Sequence, residues 1–161
     1  MTPTNYRLEV DARFVAAKDA TRWLNIGLDY HPGSATANND FGAVLVLRKN
    51  TAQQLKTNNN SKCGLTGGVN TTGGVELAQN EGSQWCSWPT DSASSAMGAD
   101  TARITVEVSD NRLVSATIRF ADGSEQTFFE DANLYRSGGQ FGFVINDATV
   151  QFDNVLITSL D

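Results

Sequence analysis

Residues 5–15 alternate strictly: Tyr6, Leu8, Val10, Ala12 and Phe14 take one parity, and Arg7, Glu9, Asp11 and Arg13 the other. A period of two marks a strand with one buried face, because successive side chains of a strand point to opposite sides. The pattern returns at 22–30, where Leu24, Ile26, Leu28 and Tyr30 alternate with Trp23, Asn25 and Asp29. It returns again where Ile104, Val106 and Val108 alternate with Arg103, Thr105 and Glu107. Phe41 to Leu47 is almost continuously apolar, which predicts a strand covered on both faces. Strands of this kind hide their apolar sides by stacking two sheets or by closing one.

The remaining punctuation agrees. Leu113 to Phe120 reads as a strand with Val114, Ala116, Ile118 and Phe120 inward. Asp122-Gly123 follows, a strong hairpin signal, and the chain returns through Gln126 to Glu130. These stretches predict an antiparallel meander. Two more strands are expected, from Gly139 to Ile145 and from Thr149 to Leu160. The pattern gives about nine or ten strands and no helix. It predicts an all-β antiparallel sandwich or barrel, a single domain over 1–161. The last strand slips in phase, because Val150 and Phe152 share one face while Val155 and Ile157 fall on the other. A bulge, cover on both faces, or a cation held by the Asp153 carboxylate would each account for the slip.

Residues 50–100 differ. Asn58-Asn59-Asn60-Ser61, Thr66-Gly67-Gly68 and Thr71-Thr72-Gly73-Gly74 break them up, which predicts a loop insertion of a length that usually serves function, with Val75-Glu76-Leu77-Ala78 as a candidate short strand within it. Cys63 and Cys86 both lie in this stretch among polar residues, whereas buried free thiols favour apolar surroundings. A Cys63–Cys86 disulfide pinning the loop is the favoured reading. By the chain-entropy estimate it would contribute on the order of 3 kcal/mol. It implies an oxidising, extracellular or cell-surface setting. Two unpaired thiols in a reducing compartment are the alternative. Two cysteines and the lone His31 are too few for a structural zinc site. The start, Met-Thr-Pro-Thr-Asn-Tyr-Arg, lacks the layout of a signal peptide, so a mature form or an excised module is expected.

Charge narrows the partners. The chain carries 12 Lys+Arg and 18 Asp+Glu, a net charge of −6. Nucleic-acid affinity comes mostly from clustered Lys and Arg, so nucleic acid is not an expected partner. No apolar run approaches the roughly 20 residues of a membrane-spanning helix. Membrane insertion is not expected.

Several segments resemble one known superfamily. Asn5-Tyr6-Arg7-Leu8-Glu9-Val10 is similar to the opening strand of concanavalin A-like jelly-roll domains. Thr101–Phe129 resembles their meander. Gly139-Gln140-Phe141-Gly142-Phe143-Val144-Ile145, followed by Val150-Gln151-Phe152-Asp153-Asn154-Val155-Leu156-Ile157, resembles their closing strands. That close is frequent in carbohydrate-binding modules and in the domain associated with 3-keto-disaccharide hydrolases. The resemblance covers roughly half the chain and implies an all-β antiparallel β-sandwich, a lectin-like jelly roll. It also implies that an acidic residue near the last strand, here Asp153, helps hold a structural Ca²⁺. The family pattern usually has one more strand before "Y-R-L-E". Here that strand is absent or supplied by another segment or a neighbour, which suggests an open sheet edge and self-association.

Catalysis finds little support in these residues. Hydrolases of this superfamily carry Glu-x-Asp-x-x-Glu on one strand; the nearest match, Glu9-Val10-Asp11, has Phe14 in the third place. Glu9 and Asp11 read as a solvated face with cross-strand ion pairs, and no catalytic residue is assigned. Sugars are bound instead by flat aromatic faces and planar polar groups. Trp85 and Trp88 flank Cys86 in the pinned loop and are the leading candidates, the alternative being that they cap one end of the sandwich. Tyr30, His31, Asn39 and Asp40 form a second group around another loop. Arg48, Tyr135 and Arg136 are further candidates, with solvated positions as their alternative. Trp23 lies opposite the Leu24 face and suits either exposed stacking or packing under a loop. The expected function is a non-catalytic carbohydrate-binding module with a poly- or oligosaccharide partner. A structural or adhesive module of a surface layer, fibre or virion is the runner-up, and a glycoside hydrolase or lyase the third reading.

Overall fold

Alternation becomes strand almost everywhere it occurs. The structure is a computed structural model, and it describes residues 4–19, 22–30, 42–49, 54–56, 70–72, 74–81, 84–89, 97–128, 132–134 and 140–161. In chain order the strands are β1 (Tyr6–Ala17), β2 (Trp23–Tyr30), β3 (Ala43–Arg48), β4 (Gln54–Lys56), β5 (Asn70–Thr72), β6 (Val75–Glu81), β7 (Gln84–Pro89), β8 (Ala102–Ser109), β9 (Arg112–Arg119), β10 (Glu125–Phe128), β11 (Ala132–Asn133), β12 (Gln140–Asn146) and β13 (Ala148–Ser159). There is no helix among the described residues.

Every strand pairing is antiparallel. One sheet runs β10-β9-β8-β1-β13, with β11 alongside the start of β9. The other runs β12-β2-β3-β6-β7. β4 and β5 pair separately. The inward residues of both large sheets form one core. Leu8, Val10, Phe14, Ile104, Val106 and Ile118 come from the first sheet, and Leu24, Ile26, Leu45, Leu47 and Leu77 from the second. The expected all-β antiparallel sandwich is therefore what the chain forms. Two buried polar contacts tie the layers together. The Tyr6 hydroxyl donates to the Leu28 carbonyl at 3.0 Å, and the Gln79 amide donates to the Asn133 carbonyl at 2.8 Å. Along one flank the aromatic rings of Phe143 and Phe152 stack at 4.5 Å, joining the outermost strands β12 and β13.

The phase slip in β13 is a bulge. Leu8 pairs with Ile157 and Ala12 with Phe152, so four steps on β1 match five on β13. The extra residue lies at Asn154–Val155, where Asn154 takes a left-handed φ of 49°. A bulge returns Ile157 to the core side and leaves Val155 exposed.

Other expectations need correction. Val114 was expected inward, but Leu113 is the buried residue. The register between β8 and β9 shifts at Glu107/Val108, and the extra residue on β9 reverses the parity before Ser115. Residues 50–100 hold more strand than the candidate at Val75–Ala78, since β6 and β7 both belong to the five-stranded sheet. Nor does the strand beginning at Tyr6 lie at an edge. It is paired with β8 on one side and β13 on the other.

Candidate functional site

Each sheet has an outer face, and the two differ in how completely their polar groups are paired. On the six-stranded sheet the centre is Arg103. Its Nη1 donates to Asp11 Oδ1 at 3.1 Å and to the Asn154 carbonyl at 3.1 Å, and its Nη2 donates to Glu9 Oε1 at 3.3 Å. Asn154 Nδ2 donates to Asp11 Oδ2 at 2.6 Å, and Arg7 pairs with Glu107 at 2.8 Å. Hydrogen bonds from Asn154 and then Arg103 hold the Asp11 carboxyl below its ordinary value, against the opposing effect of burial. Depressions of about 410 and 540 Å³ adjoin this network. Its carboxylates are engaged by cations, as a solvated ion-pair face requires. Neither Glu9 nor Asp11 is placed as a free acid or nucleophile.

Asp153 stands opposite Asp11 in the ladder. Its Oδ1 accepts the Asn154 backbone N–H at 2.8 Å. No group of three metal-binding side chains exists among the described residues. A calcium ion at Asp153 would have to take most of its oxygens from backbone and water.

The outer face of the five-stranded sheet is different. Register places Asn146, Trp23 and Arg48 in one row, Val144, Asn25, Val46 and Glu76 in the next, and Gly142, Gly27, Val44 and Ala78 in a third. Val44, Val46 and Ala78 form a small apolar cluster on which Trp23 packs. The continuous apolar run of β3 is thus explained, because all six of its residues are buried. Arg48 is only 6% exposed and its Nη2 reaches Glu76 Oε1 at 3.3 Å. Arg48 Nε, Arg48 Nη1 and Asn25 Oδ1 are buried with no hydrogen-bond partner among the described residues. Leaving such a group unmatched costs roughly 1–3 kcal/mol, and more where it is charged. These atoms are closed off from solvent, so this part of the outer face is packed over and not open to a ligand.

The residues singled out by sequence divide between the two ends of this sheet. Arg48 is not solvated, as the default had it; it is a buried member of the outer face. Tyr30 ends β2 and pairs with Gln140 at the start of β12, at the far end from Trp23, roughly 23 Å away by the strand rise. Trp85 and Trp88 are strand residues, not loop residues. In β7 Trp85 pairs with Asn80 and Trp88 with Leu77. The overlooked signal in the sequence was the Gly82-Ser83 pair between the segments that form β6 and β7. Cys86 pairs with Gln79. His31, Asn39, Asp40, Cys63, Tyr135 and Arg136 lie outside the described residues, so the Cys63–Cys86 bridge does too. The strand ends that flank them are informative all the same. The chain leaves β2 at Tyr30, re-enters β3 at Ala43 opposite Gln79, and enters β12 at Gln140. Tyr30 and Trp85 therefore fall at one end of the sheet. Sequence reasoning missed Asn25, Glu76 and Arg103. Their roles depend on register across strands far apart in the chain, which no local pattern carries.

No family model matches the chain, and no curated protein does. Among solved structures, the crystal structure of the ancestral congerin Con-anc is similar, at 16% identity and a TM-score of 0.47, over 95% of this chain and 90% of that chain.

Proposed function

We propose that the chain is a non-catalytic carbohydrate-binding module of the concanavalin A-like jelly-roll class, working outside the cell or at its surface. One observation supports this reading: Trp23, half-buried, lies on the outer face of the five-stranded sheet, packed on Val44, Val46 and Ala78. An indole offers a flat face to sugar C–H groups. Tyr30 and Trp85, whose strand positions lie at the far end of the same sheet, are proposed as further contacts, together with His31, Asn39, Asp40, Arg48, Trp88, Tyr135 and Arg136. A Cys63–Cys86 disulfide and a Ca²⁺ at Asp153 complete the proposal as stabilising elements.

A glycan array of the purified chain tests it, with and without EDTA. Specific hits are expected, weakened by roughly tenfold in Trp23→Ala through loss of the aromatic contact. Loss of binding in EDTA would support the metal, and a blank array on folded protein would overturn the reading. A second reading, assembly with copies of itself, is favoured by Val155 and Leu156, which are 48% and 51% exposed on the outermost strand β13. The hydrolase reading has weakened, because Glu9 and Asp11 are both engaged by Arg103.

A further inference from the structure

The outer face of the six-stranded sheet holds open depressions as well as ion pairs. We propose that they form a second binding site, a groove at one end of this sheet that takes an uncharged polysaccharide chain lying across the strands, an inference that rests on the carbohydrate-binding reading above. Register sets five charged residues in one row: Asp153, Asp11, Arg103, Arg119 and Glu125, on β13, β1, β8, β9 and β10. Four strand spacings make this row roughly 19 Å long. Three depressions of about 540, 410 and 500 Å³ adjoin one another, and every member of the row lines at least one of them. Asp11 and Thr101 line the first two, and Phe120 lines the last two. Together they cross the whole sheet, which gives room for several sugar units in extended form.

The groove joins core rings to polar side chains. Phe152 lines the first depression and Phe120 the other two, and both stay partly exposed while packing on the core. Asp11 and Arg103 bond each other at the centre, so the groups left for a ligand stand to either side. Arg13, Gln151 and Asp153 are on one side and Arg119, Asp100 and Glu125 on the other, all of them exposed. Each side therefore offers a guanidinium and a carboxylate. A polyanion would meet the carboxylates, and a polycation the guanidinium groups. A sugar hydroxyl both accepts and donates, so one can accept from Arg119 while its neighbour donates to Asp100 or Glu125. The phenylalanine rings are left for sugar C–H groups. An extended peptide gains its main-chain bonds at a free sheet edge, whereas this groove runs across strands already paired with one another.

Affinity electrophoresis through gels containing dextran, mannan, galactan or arabinoxylan tests the groove, with polygalacturonate as the acidic probe. The Trp23→Ala variant serves as background, so that the other sheet contributes least. It should still be retained by at least one neutral polysaccharide, and not by polygalacturonate. Adding Arg119→Ala and Gln151→Ala removes one exposed group from each side and should weaken that retention roughly tenfold or more. Both side chains are exposed and make no hydrogen bond or ion pair to another described residue, so the melting temperature should not change. Retention that the two added substitutions leave unchanged, or that Trp23→Ala alone abolishes, would overturn the groove and leave the carbohydrate-binding reading standing. Retention by polygalacturonate as strong as by the neutral chains would overturn the choice of an uncharged ligand. No retention of the unaltered chain by any probe would overturn the carbohydrate-binding reading itself, and the groove with it.

Discussion

At the scale of single residues, the best-defined electrostatic feature is Asp11. Both carboxylate oxygens are occupied, one by Arg103 at 3.1 Å and one by Asn154 at 2.6 Å. The Asn154 bond is the largest cause of its lowered pKa. A carboxyl whose folded pKa lies below its ordinary 3.8 adds stability above that value and loses it as pH falls through the folded value. Asn154 sits at a φ of 49°, which glycine tolerates, so Asn154→Gly removes the donor without forcing the backbone. Its cost should therefore be full above pH 3.8 and shrink as the pH falls below it. Glycine also loosens the unfolded chain, but that effect does not depend on pH. Urea unfolding of both proteins at neutral and acid pH measures the difference, and a gap that stays constant with pH would show that Asp11 is not linked to folding through Asn154. That Glu9 and Asp11 face solvent was legible from alternation alone. That Arg103, not Arg7 or Arg13, holds them was not, because it takes the register of β1 against β8.

At the scale of elements, the turns were easier to read than the bulges. The Asp122-Gly123 pair was expected to turn a hairpin, and it does. Gly123 takes a φ of 84°, its N–H donates to the Phe120 carbonyl at 3.0 Å, and Asp122 Oδ1 accepts from the Ser124 backbone and hydroxyl. A Cβ at Gly123 would meet nothing within 4 Å. The expected penalty of Gly123→Ala is thus conformational, about 1 kcal/mol from forcing an L-residue into the left-handed region, without a clash. Thermal or urea melts measure it, and Gly123→Asn should recover part of the loss because asparagine tolerates that region better. An alanine variant as stable as the parent would mean that the turn relaxes at no cost. Bulges escape a reading based on strict period because one added residue reverses every parity beyond it. This is why Leu113 and Val114 exchanged their expected sides, and why β13 admitted three explanations in sequence. Strand β7 was missed for another reason. Gln84-Trp85-Cys86-Ser87-Trp88-Pro89 mixes polar and apolar residues on both parities, so its strand character shows only through pairing with β6.

At the scale of the molecule, the sandwich leaves four outermost strands, and they are not equally protected. β7 carries Pro89, and β10 has only four residues. β13 has twelve residues, without Lys, Arg or Pro, and it exposes Val155 and Leu156. Its protective devices are the exposed Asp153 carboxylate and the bulge at Asn154–Val155, which interrupts the row of backbone groups an incoming strand would need. The two readings of the protein therefore make opposite demands on the same strand. As a binding module it needs the bulge to keep this edge closed; as an assembly module it needs Val155 and Leu156 to dock against another chain. Light scattering over a wide range of concentration distinguishes them. A rise in mass that Leu156→Lys abolishes, with the melting temperature unchanged because the residue is half exposed, would establish pairing at this edge. A constant monomer mass in both proteins would retire the assembly reading. The bulge would then be a feature that keeps a long edge with a single charge, Asp153, from aggregating, and deleting Val155 to restore a regular ladder should make the protein associate.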